Sequence, residues 1–160
     1  MPGARILLVE DDEVLCDLIQ RNLAARGHEV RAATDAQTAL AHLRATPFDL
    51  ILLDICLPDQ TGWEVLRTVQ KEGRLSPLEM NGHAGQLPVV VLSAVRVSPQ
   101  RLQEFHPLAY LPKPFPMEAI LRLAAEAAKR RNGEAVIEQE DEEEEMRSRH
   151  TQLDEEDLYA

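Results

Sequence analysis

Glu10, Asp11 and Asp12 stand directly after a short apolar run, "ARILLV" (4–9), and Asp54 closes a second one, "DLILLD" (49–54). Ser93 ends a third, "VVVLS" (89–93), and Lys113 follows a fourth, "AYLP" (109–112). A buried strand has no use for a charge, because an unpaired ionised carboxylate taken out of water is strongly disfavoured or escapes by shifting its pKa. If the runs are parallel strands, all of these groups meet on one rim. Three carboxylates within about 4 Å of one another repel by roughly 4 kcal/mol per pair at an effective dielectric of 20, on the order of 12 kcal/mol for the trio. Only a cation makes that tolerable at neutral pH. Oxygen ligands alone suit a hard ion, and Mg²⁺, with Mn²⁺ able to substitute, is held by one or two carboxylates while keeping waters and phosphate oxygens. A carboxylate beside such an ion can attack phosphorus and become an aspartyl phosphate. Ser93 is then placed to bond one phosphoryl oxygen and Lys113 to neutralise another.

The segments that must position these groups alternate in period. After strand one, Val14, Leu15, Leu18, Ile19 and Leu23 recur at helical spacing and Gly27 supplies a stop. "HEVRAA" is a second strand and "TDAQTALAHLRAT" a second helix, with Thr34 and Gln37 spaced as a capping box. Strand three leads to a helix over "GWEVLRTVQKE", then to a Gly-, Pro- and Asn-rich loop. Strand four is followed by an irregular stretch with a short helix opening at "SPQRLQEF", strand five by a last helix, "PMEAILRLAAEAAKRR", which "RNG" should interrupt. The result is (βα)5. Strands that are apolar throughout and separated by helices imply a parallel sheet covered on both faces. Such sheets bind ligands at the carboxyl ends of their strands, where the strand order reverses.

At 160 residues the chain holds one domain plus an appendage. Residues 134–160 carry 12 of the 28 acidic residues and only Arg147 and Arg149 of the 17 basic ones, leaving 16 acids against 15 bases upstream. A near-neutral domain with an acidic tail argues against direct nucleic-acid binding, which depends on Lys and Arg at phosphates. No apolar stretch reaches membrane-span length and no signal peptide is apparent, so a cytoplasmic protein without membrane insertion is expected. Cys16 and Cys56 lie in apolar periodic segments without a CxxC or Cys/His grouping and read as reduced packing residues. The five histidines have no ligand spacing.

In order, "ILLVEDDE", "DLILLDICLPDQTGWEVL", "VVVLSA" and "AYLPKPF" resemble the motifs of the receiver domain of two-component response regulators, over about residues 4–130. The resemblance implies a flavodoxin-like α/β fold, a five-stranded parallel sheet with helices on both faces. It implies Asp54 as phosphoacceptor, Asp11 as direct Mg²⁺ ligand with Glu10 acting through water, and the Cys56 backbone carbonyl completing the metal shell. It also implies Ser93 as switch hydroxyl, Lys113 as phosphate-facing lysine, Tyr110 as the aromatic that moves with Ser93, and a cis bond between Lys113 and Pro114. Gly62 matches the turn glycine that lets the third helix start close to the site. The implied partners are a sensor histidine kinase or phosphotransfer protein and a downstream protein target. The chain departs from the pattern in a long Asp54-to-Ser93 interval, whose excess falls between Gly73 and Leu87, and in "FHPLAY" before the strand-five aromatic.

Plainer readings stand beside these. The acidic cluster could merely complement a helix dipole, and Trp63 could be sheet cover or an exposed contact. The domain is placed at 1–131 and the tail at 132–160. The tail reads as a disordered, solubilising extension, with a docking peptide at "LDEEDLYA" or a charged helix over 134–149 as alternatives. The leading function is a phosphoacceptor switch that catalyses at most its own phosphorylation and dephosphorylation. A phosphorylation-independent adaptor is the alternative. An aspartyl-phosphate phosphatase would want an acid where Cys56 stands. Cys56 and Val95 flank the path of a hydrolytic water and orient water poorly, so a long-lived phosphoryl group is expected.

Overall fold

The computed structural model describes residues 2–78 and 85–133. The expected tail elements, and part of the loop before strand four, lie outside these residues. The chain runs β1 (Arg5–Val9), α1 (Glu13–Ala25), β2 (Glu29–Ala33), α2 (Ala36–Ala45), β3 (Leu50–Asp54), α3 (Gly62–Lys71), β4 (Leu87–Ser93), α4 (Pro99–Phe105), β5 (Pro107–Pro112) and α5 (Met117–Arg131). The five strands form one parallel sheet in the order β2-β1-β3-β4-β5. The order reverses between β1 and β3, so the ends of those two strands border the crevice where a parallel sheet binds its ligand.

Alternation along the strands explains why they are apolar throughout. Ile6, Leu8, Leu50, Leu52, Val90 and Leu92 face α1 and α5, meeting Cys16, Ile19, Leu23, Ile120 and Leu123. Leu7, Val9, Ile51, Leu53, Val89 and Val91 face the other way, among Trp63, Leu66 and Phe105. Leu52 is fully buried, and its truncation to alanine would cost about 2–5 kcal/mol. Trp63 is cover for this second face: its ring stacks on Phe105 at 5.4 Å between centroids, 17° from parallel.

Three details differ from the sequence reading. Helix α2 is capped by Asp35, whose side chain accepts from the Thr38 N–H at 2.7 Å, instead of by a Thr34–Gln37 box. Asp35 takes the Ncap place because α2 starts one residue later, at Ala36. Val14 and Leu18 point to solvent, at 79% and 50% exposure, while Cys16 and Ile19 are buried. Cys56 is exposed, since it lies beyond the end of β3, and only Cys16 packs; both are free thiols. Helix α4 is the short helix expected at "SPQRLQEF", seven residues capped by Ser98 and closed by His106 in the left-handed conformation at φ 47°. The excess loop leaves the end of α3 and enters the start of β4, on the rim opposite Asp54.

Candidate phosphoryl and metal site

The β1–α1 turn separates three neighbouring acids into different roles. Glu10 is fully buried and its N–H still bonds to the Ala33 carbonyl of β2 at 3.0 Å. Asp12 is the N-cap of α1, accepting from the Val14 and Leu15 N–H groups at 3.0 and 3.1 Å. The capping explanation therefore applies to Asp12 and leaves Glu10 and Asp11 to the rim. Asp54, the last residue of β3, is 3% exposed. Carboxylate oxygens of Glu10, Asp11 and Asp54 lie within 4.8 Å of one another.

Among the described residues, one cation faces this cluster. Lys113 Nζ is 2.8 Å from Glu10 Oε2 and 2.8 Å from Asp54 Oδ2. The remaining oxygens are also engaged: Asp54 Oδ1 accepts from the Cys56 N–H at 2.9 Å, and Glu10 Oε1 from the Asp12 N–H at 3.1 Å. Burial pushes the Glu10 carboxyl up to about 7, against the pull of the Lys113 ammonium and the Asp12 N–H, and the charge of Asp54 adds to the rise. Burial works to lower the Lys113 pKa, yet its hydrogen bonds to Asp54 and Glu10 outweigh that and hold it above its ordinary value. Three carboxyl groups against one ammonium leave a surplus of negative charge, with Glu10 and Asp54 buried and Asp11 exposed. An oxygen-only donor set with that surplus fits a small hard dication.

The peptide bond between Lys113 and Pro114 is cis, as the resemblance implies. The Lys113 N–H donates to the Ser93 carbonyl at 2.8 Å, tying the start of this turn to the end of β4. Gly62 is required by close approach: a Cβ there would come within 2.8 Å of the Asp54 carbonyl oxygen. Ser93 is buried, but its hydroxyl is turned to the next loop, donating to the Val95 carbonyl at 2.8 Å and accepting from the Val95 N–H at 3.1 Å. Tyr110, half-buried, donates its hydroxyl to the same Val95 carbonyl at 3.3 Å. Glu10, Asp11, Asp54 and Lys113 are thus brought together, while Ser93 and Tyr110 form an adjoining group centred on Val95.

Two participants escaped the sequence reading. The Val95 carbonyl is a backbone atom with no side-chain signature. Asp59, in the β3–α3 loop, accepts from the Ala36 and Gln37 N–H groups at the start of α2, at 2.8 and 3.1 Å. Its partners lie 23 and 22 residues earlier, so no local spacing reveals them.

The sequence pattern of the response regulator receiver domain matches residues 6–125. Among curated proteins, the chain is similar to the regulatory protein VanRB of Enterococcus faecalis, at 32% identity over 131 residues, 81% of this chain and 54% of that one. It is also similar to the DNA-binding dual master transcriptional regulator RpaA of Synechocystis, at 32% over 119 residues, 73% of this chain and 46% of that one. The chain spans about half the length of these relatives. Among solved structures, it resembles the chemotaxis response regulator CheY4 of Vibrio cholerae, with a TM-score of 0.63 at 26% identity, covering 78% of this chain and 98% of that one. A parallel strand order with the reversal beside Asp54, the acidic rim facing one lysine and the match over residues 6–125 agree: the chain belongs to the response regulator receiver domain family.

Proposed function

We propose that this chain is a phosphoacceptor switch that takes a phosphoryl group onto Asp54 from the phosphohistidine of a sensor histidine kinase or phosphotransfer protein. The observation that carries this reading is the position of the Asp54 carboxylate, buried at the rim, paired with the Lys113 ammonium and clustered with the carboxylates of Glu10 and Asp11. In the transfer, an Asp54 oxygen forms a bond to phosphorus as the phosphorus–imidazole bond breaks, and the histidine leaves with the electron pair. Glu10, Asp11, Asp54 and the Cys56 carbonyl would hold Mg²⁺, or Mn²⁺, which supplies charge neutralisation at the phosphoryl oxygens. Lys113 follows the oxygen it already faces and neutralises a second phosphoryl oxygen. The Cys56 N–H fixes the rotamer of Asp54 so that its other oxygen is presented. Ser93 reaches the third phosphoryl oxygen by giving up its bond to the Val95 carbonyl. Tyr110, bonded to that carbonyl, is free to move with it, and the altered surface around α4 and β5 meets a downstream protein.

Phosphoryl uptake from acetyl phosphate tests the reading without the cognate kinase. The expected result is one added phosphoryl group per chain by intact mass, dependent on Mg²⁺. No uptake under any condition would return the chain to a phosphorylation-independent adaptor acting through its surface.

A further inference from the structure

We propose that Asp59 is a positioning residue for the phosphoacceptor: by holding the tip of the β3–α3 loop on the N-terminus of α2, it keeps the Cys56 peptide against Asp54. The inference rests on the proposed role of Asp54.

The loop from Ile55 to Thr61 is closed at its base. The Gly62 N–H donates to the Ile55 carbonyl at 2.9 Å, and Cys56 and Thr61 face each other as an isolated antiparallel bridge. A loop closed at its base still pivots unless its far end is fixed. Asp59 supplies that point with both carboxylate oxygens, Oδ1 to the Ala36 N–H at 2.8 Å and Oδ2 to the Gln37 N–H at 3.1 Å. These are orphan donors of the first turn, and the positive end of the helix dipole favours a carboxylate there. The anchor itself is firm, because Ala36 is fully buried in the core. The Ala36 N–H bond also holds the Asp59 carboxyl below the usual carboxylate range, so the ionised acceptor is present at neutral pH.

The other end of the loop is the Cys56 peptide. Its N–H bonds to Asp54 Oδ1 at 2.9 Å, and its carbonyl is the proposed fourth metal ligand. A loop tip released from α2 lets this peptide rotate, and both contacts loosen together. The cap supplied by α2 itself is separate: Asp35 accepts from the Thr38 N–H at 2.7 Å and does not belong to the loop. Loss of Asp35 therefore weakens α2 alone, whereas loss of Asp59 weakens α2 and frees the loop.

The test compares the full-length native chain with Asp59→Ala, Asp59→Asn and Asp35→Ala. Amide hydrogen exchange at Cys56 is read in EDTA, and Mg²⁺ binding by calorimetry. For Asp59→Ala, exchange at Cys56 should speed by roughly tenfold relative to the Leu52 amide of the core. The Mg²⁺ dissociation constant should rise by about tenfold, the scale on which outer partners of metal ligands act. Asp59→Asn, which keeps one acceptor oxygen, should fall between native and alanine in both. Asp35→Ala should lower the melting temperature and leave both readouts near native. Unchanged Cys56 exchange in Asp59→Ala overturns the inference, and so does an equal effect from Asp35→Ala. If Asp59→Ala does not fold, Asp59→Asn decides by the same comparison. Failure of the native chain to bind Mg²⁺ or take up phosphoryl overturns the proposed function instead, while Cys56 exchange still reports on Asp59.

Discussion

The hydroxyls of Ser93 and Tyr110 converge on one oxygen, the Val95 carbonyl, at 2.8 and 3.3 Å. Ser93 sits at the end of β4 beside the site, and Tyr110 is in the neighbouring strand, paired with Val91. A phosphoryl group that draws Ser93 away leaves Tyr110 as the remaining donor to that carbonyl. The two hydroxyls therefore have separable roles. Ser93→Ala should slow phosphorylation by acetyl phosphate about tenfold, the kinetic equivalent of losing one hydrogen bond to a charged oxygen. Tyr110→Phe should leave the rate within twofold. Initial rates by intact mass check both, and equal slowing in the two variants would contradict the separation.

Among the described residues, Lys113 is the single cation at the cluster, 2.8 Å from both Glu10 and Asp54. Lys113→Ala leaves two buried carboxylates facing each other. The metal-free protein should lose roughly 2 kcal/mol, the penalty of breaking a buried ion pair discounted for the partly exposed ammonium. Mg²⁺ should recover part of that loss by replacing the missing charge. Urea denaturation in EDTA and in Mg²⁺ measures both effects, and a variant as stable as the native chain in EDTA would show that the repulsion is absent.

The raised pKa of Glu10 sets a pH dependence with a definite sign. The folded protein holds the Glu10 proton up to about 7, whereas the unfolded chain releases it near 4.5. Between those values the native state binds more protons than the unfolded state, so its stability falls as pH rises. The fall in EDTA should be at most about 3 kcal/mol, and saturating Mg²⁺ should flatten it because the ion competes with the proton for Glu10. Denaturation midpoints at pH 5, 6, 7 and 8 with and without Mg²⁺ provide the measurement. Stability that climbs through this window in EDTA would refute the assignment.

Cys56 and Val95 are both exposed, Val95 at 53%. Neither side chain orients a hydrolytic water strongly, so the phosphoryl group on Asp54 should be long-lived. Cys56→Asn or Val95→Gln supplies an amide that can orient water and should shorten the lifetime several-fold. Decay of the phosphorylated mass after removal of acetyl phosphate follows it, and unchanged decay in both variants would rule out these positions as the limit.

The strands were legible because Leu50–Leu53 and Val89–Leu92 are buried on both faces, which leaves continuous apolar runs. The cluster was legible because a parallel sheet sends every strand end to one rim, so Glu10, Asp11, Asp54 and Lys113 converge once the strands are found. Where contacts are made by backbone atoms or across distant segments, spacing is silent. That is why the Val95 carbonyl and the Asp59 anchor on α2 appeared only in the structure. Cys56 reads as a packing residue because it follows the apolar run of β3, whereas the strand stops at Asp54 and leaves it exposed.

The Asp54 carboxylate is the proposed nucleophile, and borohydride reduction identifies the residue that carries the phosphoryl group. An aspartyl phosphate is an acyl phosphate and is reduced to homoserine, whereas an unmodified carboxylate is not. The full-length protein is treated with acetyl phosphate and Mg²⁺, reduced, digested and sequenced by mass spectrometry. Homoserine in place of Asp54, absent when Mg²⁺ is chelated, is the expected result. Homoserine at Asp11 or Asp12, or reduction at no position while the chain binds Mg²⁺, would contradict it.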